Sequence, residues 1–246
     1  MLMETQEFNW QRKIWHASGS LLMIAIFFLW QGQWCWRSWS LAGNDILTAF
    51  AWLETLLCVA VDIIRYHSEK QREAIRRIPL FGKWIRKHEE RGFNTSSYFV
   101  LSSALLITAY RLGYGSQQML IAAILVLGLA DPLAALARYW LSHVSKTARR
   151  LTGLVVFTLA CVLVIFGVRE GLNLRINWPE MLLISLLCAL IETYTPSIVK
   201  LVRPLTRKVQ RPLLAGPAEM LTKLYPDDNL LIPLVIWLLA FLLADH

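Results

Sequence analysis

Seven long apolar stretches dominate this chain, at residues 14–30, 46–66, 96–112, 117–139, 151–168, 178–199 and 229–244. Each is close to the roughly 17–25 residues that carry a helix across the hydrocarbon of a bilayer, and blocks of that kind mean membrane rather than soluble core. Composition agrees: 56% of the residues are hydrophobic and only 17% charged, where a soluble domain carries about 25% charge. Disordered, collagen-like and disulfide-rich classes are excluded on the same grounds. The expected fold is all-α, a polytopic transmembrane helix bundle of about seven spans forming one integral membrane domain over residues 1–246.

Residues 31–43 are rich in tryptophan (Trp34, Trp36, Trp39) and suit an interfacial cap on the first span, since Trp favours the headgroup level. The first apolar stretch lacks an Ala-x-Ala-like cleavage site and is long enough to span, so it reads as a membrane helix rather than a signal peptide. The cysteines Cys35, Cys58, Cys161 and Cys188 show no CxxC spacing, and three lie inside expected spans. Packing is therefore their expected role, not a disulfide framework or a zinc site.

Orientation follows from where the basic residues fall. All but four of the 25 Lys and Arg lie before residue 14 or in the segments 65–95, 138–150 and 200–223, leaving Arg37, Arg111, Arg169 and Arg175 on the other side. The positive-inside rule then places the N-terminus and these three segments in the cytoplasm and the C-terminus outside. An odd number of spans agrees with that. The net charge of +8 is accounted for by orientation and anionic lipid, so nucleic acid is not an expected partner.

Carboxylates inside a bilayer are costly and mark functional sites by default. Five positions stand out: Glu54, Asp62, Asp131, Glu192 and the pair Asp227–Asp228. Asp131 precedes the cytoplasmic end of its span by about 12 Å and Glu192 by about 10 Å, at 1.5 Å per residue. Asp228 and Asn229 open the last span on that side, as His16 opens the first. Carboxylates that could hold Mg²⁺, beside Arg and Lys that could hold phosphates, are the parts phosphoryl transfer requires. Each also has a structural reading. Asp131 could bond between helices, Glu192 could pair with Arg203 or another loop residue, and Asp227–Asp228 could cap a helix. Asp131-Pro132 followed by Ala134, Ala135 and Ala137 suits either close helix packing or a lined cavity.

These residues carry a resemblance. Arg12-Lys13-Ile14-Trp15-His16 resembles the RKxxH opening of the CTP-dependent lipid kinases, the family of dolichol kinase, phytol kinase and the CTP-dependent diacylglycerol kinase. Arg86-Lys87-His88-Glu89-Glu90, with Thr95 and Tyr98, is similar to its charged segment before the third span. Leu129-Ala130-Asp131-Pro132-Leu133-Ala134-Ala135 resembles its GDxxA segment. Glu192 with Asp228-Asn229-Leu230-Leu231-Ile232-Pro233-Leu234 resembles its closing E…DN…P pattern. The matches run in family order from residue 12 to residue 234. The resemblance implies transfer of the γ-phosphate of CTP to the hydroxyl of a lipid alcohol, an isoprenoid alcohol or diacylglycerol. Asp131, Glu192 and Asp228 would hold Mg²⁺ or orient the hydroxyl, with Asn229 assisting, and Arg12, Lys13 and His16 would contact phosphate.

Two motifs depart from the family pattern. Ala137-Arg138-Tyr139-Trp140-Leu141 lacks the glycines that usually follow GDxxA. Arg149-Arg150-Leu151-Thr152-Gly153 keeps a basic residue and the glycine of a KSxEG motif but not its Ser and Glu. Arg138, Lys146, Arg149 and Arg150 form a cationic patch that could supply the missing phosphate grip. The alternatives are a cytidylyltransferase acting on a lipid phosphate, or a non-catalytic binder or transporter. In residues 65–95, Ile75, Ile78, Leu80, Phe81, Trp84 and Ile85 among nine positive charges suit a helix lying on anionic lipid. Pro204, Pro212 and Pro217 argue against one uninterrupted helix through residues 200–223.

Overall fold

The computed structural model describes residues 10–31, 43–78, 93–141, 143–209 and 227–243. Among them the regular elements are eight helices and no strand. They are α1 (Trp10–Gln31), α2 (Gly43–His67), α3 (Glu69–Arg77), α4 (Thr95–Arg111), α5 (Gln117–Trp140), α6 (Lys146–Leu172), α7 (Trp178–Val209) and α8 (Asp228–Leu243). All except α3 coincide with the apolar stretches. Three are long and apolar enough to cross a membrane: α5, α6 and, over Asp45–His67, α2. The tryptophan-rich segment after α1, residues 79–92 and residues 210–226 lie outside the described residues.

The helices present an apolar surface and bury polar groups. Leu21, Leu22, Leu53, Leu56, Leu57, Leu159, Leu163 and Leu182 are exposed, while Ser20, Thr55, Ser102, Ser103, Ser185 and Glu192 are buried. A water-soluble protein has no reason to turn so many leucines outward. In hydrocarbon the same distribution is favourable, and all of these hydroxyls but that of Ser185 are bonded inside: Thr55 also donates to the Val100 carbonyl across α2 and α4 (3.2 Å), and the Trp52 indole donates to Thr108 (2.9 Å).

Helices α5, α6, α7 and α8 form a closed ring, each touching the next. Helices α5 and α8 also border a second group, in which α1 packs on α5, α4 packs on α8, and α2 packs on α4 and α1. Small residues let α5 take this central place. Ala122, Ala123, Gly128, Ala130 and Ala134 are all buried along it, and short side chains allow backbones to approach closely. At Gly128 a Cβ would stand 2.2 Å from the Ser20 hydroxyl of α1, so that contact admits only glycine. At Gly115, in the turn before α5, φ is +94° and the Trp237 indole of α8 lies against the Cα; both features again call for glycine.

Asp62 ties α2 to α4. One carboxylate oxygen pairs with the buried Arg65 at 2.7 Å. The other accepts from the Asn94 amide (2.8 Å) and the Ser97 hydroxyl (2.6 Å). Helix α3 is short, and Arg72 on it is buried rather than turned to lipid. Its guanidinium donates to the Arg65 and Tyr66 carbonyls in the last turn of α2 (3.1 and 3.4 Å), where helix carbonyls run out of intrahelical donors. Helix α7 runs ten residues beyond the expected end of its span, through Pro196 and Pro204 to Val209. The expectation against one uninterrupted helix through residues 200–223 extends past Val209 into residues 210–226, which lie outside the described residues. Proline removes one backbone donor and crowds one turn, but a membrane helix tolerates the break where neighbouring groups compensate.

Candidate functional site

The site lies where α1, α6 and α8 begin and α5 ends. Lys13, in the first turn of α1, points its ammonium at Asp131 of α5, with Nζ 2.6 Å from Oδ2. Both side chains are nearly enclosed. His16, one turn further along α1, is buried, meets Phe99 edge-on and lies within electrostatic reach of Asp131.

Seven residues after Asp131, Arg138 reaches across the ring to α7. Its guanidinium donates twice to Glu192, at 2.9 and 2.5 Å, one bond to each carboxylate oxygen. This two-pronged pairing is the geometry a planar guanidinium favours. Thr193 adds a weaker bond to the same carboxylate (3.3 Å). Gly153 of α6 makes the reach possible: a Cβ there would lie 2.7 Å from an Arg138 nitrogen and 2.9 Å from its Cδ. The glycine kept from the KSxEG-like segment is thus the floor under Arg138.

The third carboxylate comes from α8. Asp227 is the cap: its carbonyl accepts from Leu230 and Leu231, and its Oδ1 accepts from the Asn229 backbone (2.9 Å) and side-chain amide (2.6 Å). The same two donors reach Asp228 Oδ1 (3.0 and 2.9 Å). Asn229 is buried and so holds both aspartates in place. Pro233 lies four residues on, where it removes the amide that would bond the Asn229 carbonyl. The buried Ser102 of α4 supplies a substitute donor at 3.1 Å. Asp228 is close enough to Asp131 and Glu192 to feel both charges, and Arg138 feels Asp131 and Asp228.

Expected site residues divide accordingly. Lys13, His16, Asp131, Arg138, Glu192, Asp228 and Asn229 come together from α1, α5, α7 and α8. Arg12 is on α1, but its side chain lies outside the described residues, as does that of Arg203. Lys146 is exposed at the start of α6. Arg150 reaches Ser197 of α7 at 3.4 Å. Arg149 is one turn before Gly153 on the same face, half-buried, and its Nε has no partner. Asp62 belongs to the α2–α4 tie and Glu54 lies a further two turns along α2, so neither joins the cluster. Reading the chain alone marks Gly153 but not its contact with Arg138, and misses Ser102 and the Gly128–Ser20 contact. Pro233 four residues after Asn229 was the one available hint of Ser102's role.

As they stand, these groups do not fit a resident divalent ion. Among the described residues no three His, Cys, Asp or Glu side chains converge to hold one. Asp131 and Glu192 already accept from cations at short range. What the arrangement offers is a set of carboxylates and cations from four helices, held in register. No family model, no curated protein and no solved structure matches the chain.

Proposed function

We propose that the chain is a polytopic membrane lipid kinase. It has seven spans, its N-terminus and site face the cytoplasm and its C-terminus lies outside. It transfers the γ-phosphate of a nucleotide, CTP by the resemblance, to the hydroxyl of an isoprenoid alcohol or diacylglycerol. The observation that carries this reading is the meeting of Lys13, Asp131, Glu192 and Asp228 in one cluster, although they are spread over more than 200 residues of sequence. Three of the four motifs that resemble the lipid kinases contribute to it, and the fourth falls largely on residues outside the description.

The nucleotide enters as its Mg²⁺ complex, a substrate rather than a fixed cofactor. Lys13 and Arg138 bind its phosphate oxygens, with Arg149 and Lys146 at the rim. A new bond forms between the lipid oxygen and the γ-phosphorus as the bond to the β-phosphate oxygen breaks, and CDP leaves. The hydroxyl proton passes to a carboxylate of the cluster. Most of the rate in such a transfer comes from positioning and charge stabilisation, which a rigid set of side chains on four helices provides. A lipid acceptor reaches this depth laterally from the bilayer.

The test uses the full chain in lipid nanodiscs with γ-labelled CTP or ATP and a panel of polyprenol, phytol and diacylglycerol. Labelled lipid phosphate is expected. Asp131→Asn and Asp228→Asn should each lower the rate by at least about a hundredfold, the scale for losing one preorganised charged group. Unchanged rates in both variants would remove the reading. A non-catalytic family member is the second reading, and Gly153 favours it: the retained glycine serves Arg138 packing instead of a phosphate-binding turn. No labelled product from any acceptor, with folded protein, would support that reading.

A further inference from the structure

We infer that Glu54 is the counter-ion of an intramembrane site for a lipophilic amine, held in the seam between α1 and α2. None of the groups involved belongs to the carboxylate cluster, so the inference stands apart from the proposed kinase activity.

Glu54 is nine residues after Asp45 and thirteen before His67, the limits of the apolar part of α2. At 1.5 Å per residue it is about 14 and 20 Å from those ends, deep in the stretch that would cross a bilayer. Asp62, Asp131 and Glu192 each hold a cation, namely Arg65, Lys13 and Arg138. Glu54 is half-buried, and among the described residues no cation or hydrogen-bond donor reaches it. A carboxylate in hydrocarbon is costly and marks a functional position.

Its surroundings select the partner. Helix α1 leans on α5 and α2 leans on α4, so α1 and α2 meet only along a thin seam. Cys58 is one turn from Glu54 on the same face of α2. With Met23 of α1 it covers a small apolar cluster of Phe99, Val100 and Leu127. Gly19, one turn before Met23 on the same edge of α1, has open space where a side chain would stand. On the other flank of Glu54, Phe50, Leu57 and Val61 are exposed. The seam thus offers one carboxylate, an apolar wall with an adaptable thioether, and room at Gly19, all reached from the lipid. An inorganic cation would find a single ligand and leave the wall uncovered. A lipid alcohol would cover the wall and leave the charge uncompensated. An amine on a long apolar body does both, through a charge-assisted N–H···O bond and burial of its tail, and it arrives already dissolved in the bilayer.

The test uses the full chain in lipid nanodiscs with two probes spin-labelled on the tail, stearylamine and stearyl alcohol. Electron paramagnetic resonance reads the fraction of each that the protein immobilises, with empty nanodiscs as the baseline. The amine should be held about thirtyfold more tightly than the alcohol, the low end for truncating one partner of a buried charge pair. Glu54→Gln keeps the shape and loses the charge, and should abolish that preference. Gly19→Leu fills the open space and should weaken amine retention by a similar factor. Thermal unfolding checks that both variants are folded, and the comparison of the two probes on the unaltered protein needs neither. A preference for the amine that is absent from the unaltered protein, or that survives Glu54→Gln, overturns the inference. So does unchanged amine retention in folded Gly19→Leu. A dimer that comes apart in Glu54→Gln would assign the carboxylate to a second copy of the chain and overturn it as well.

Discussion

Arg138 is the residue at which charge and packing can be separated. Removing its guanidinium leaves Glu192 ionised and almost fully enclosed, and breaking such a pair from one side costs about 3–5 kcal/mol. Neutralising both ends removes the stranded charge, so Arg138→Met with Glu192→Gln should recover most of that loss. Thermal unfolding in detergent checks this: the single variant should melt well below the double. Equal melting points would mean that the pair does not form. The sequence marked both residues, but with different partners in view. Glu192 reads as a Mg²⁺ ligand, with pairing to Arg203 or another loop residue as the structural alternative, and Arg138 as part of a cationic patch. A helical periodicity cannot reveal a contact between α5 and α7 that spans the ring, because it depends on the absence of a side chain at Gly153 of a third helix.

At the scale of elements, the apolar stretches were legible because span length is set by the bilayer and not by tertiary partners. The helices over residues 95–111 and 117–140 start and stop within two residues of the expected bounds. Limits were misjudged where a local rule had to be weighed against neighbours. Helix α7 continues through Pro204 to Val209, ten residues past the expected end of its span. Residues 65–95 read as a basic stretch lying on anionic lipid, yet Arg72 within it is buried and bonds the end of α2. Ala134, Ala135 and Ala137 suit close packing or a lined cavity, while Gly128, the residue that touches α1, carries no signal in the sequence reading. It is the sharpest test of this packing. A methyl group at 128 would collide with Ser20, and forcing extra atoms into a packed contact costs about 1–3 kcal/mol. Gly128→Ala should therefore lower the melting temperature and move Lys13 relative to Asp131, reducing activity as well. Ser20→Ala keeps the Cβ that lies 2.3 Å from the added methyl and removes only the hydroxyl, so it should recover little of the loss. Normal stability and activity in Gly128→Ala would show that α1 is not seated there.

For the whole molecule, the ends of the helices decide whether the site can serve a cytosolic nucleotide. The starts of α1, α6 and α8 and the end of α5 meet at the site. The turn between α4 and α5 and the connection between α6 and α7 lie at the opposite ends of α5 and α6. The first group adjoins most of the basic residues; the second holds only Arg111, Arg169 and Arg175. The proposed function requires the site end to be cytoplasmic, the side on which the positive-inside rule would put the basic residues. Single cysteines on a cysteine-free background can test this at exposed positions, using a maleimide that does not cross membranes. Tyr114→Cys and Arg175→Cys should be labelled on intact cells. Lys70→Cys, on α3, and Ser145→Cys, before α6, should be labelled only after permeabilisation. The reverse pattern would turn the carboxylate cluster away from the cytosol, where CTP and Mg²⁺ are supplied, and the kinase reading would fail with it. Labelling of Tyr114→Cys from outside but Arg175→Cys only from inside would instead break the alternation between α5 and α7. The helix count across the membrane would then change while the ion pairs within the cluster stayed as they are.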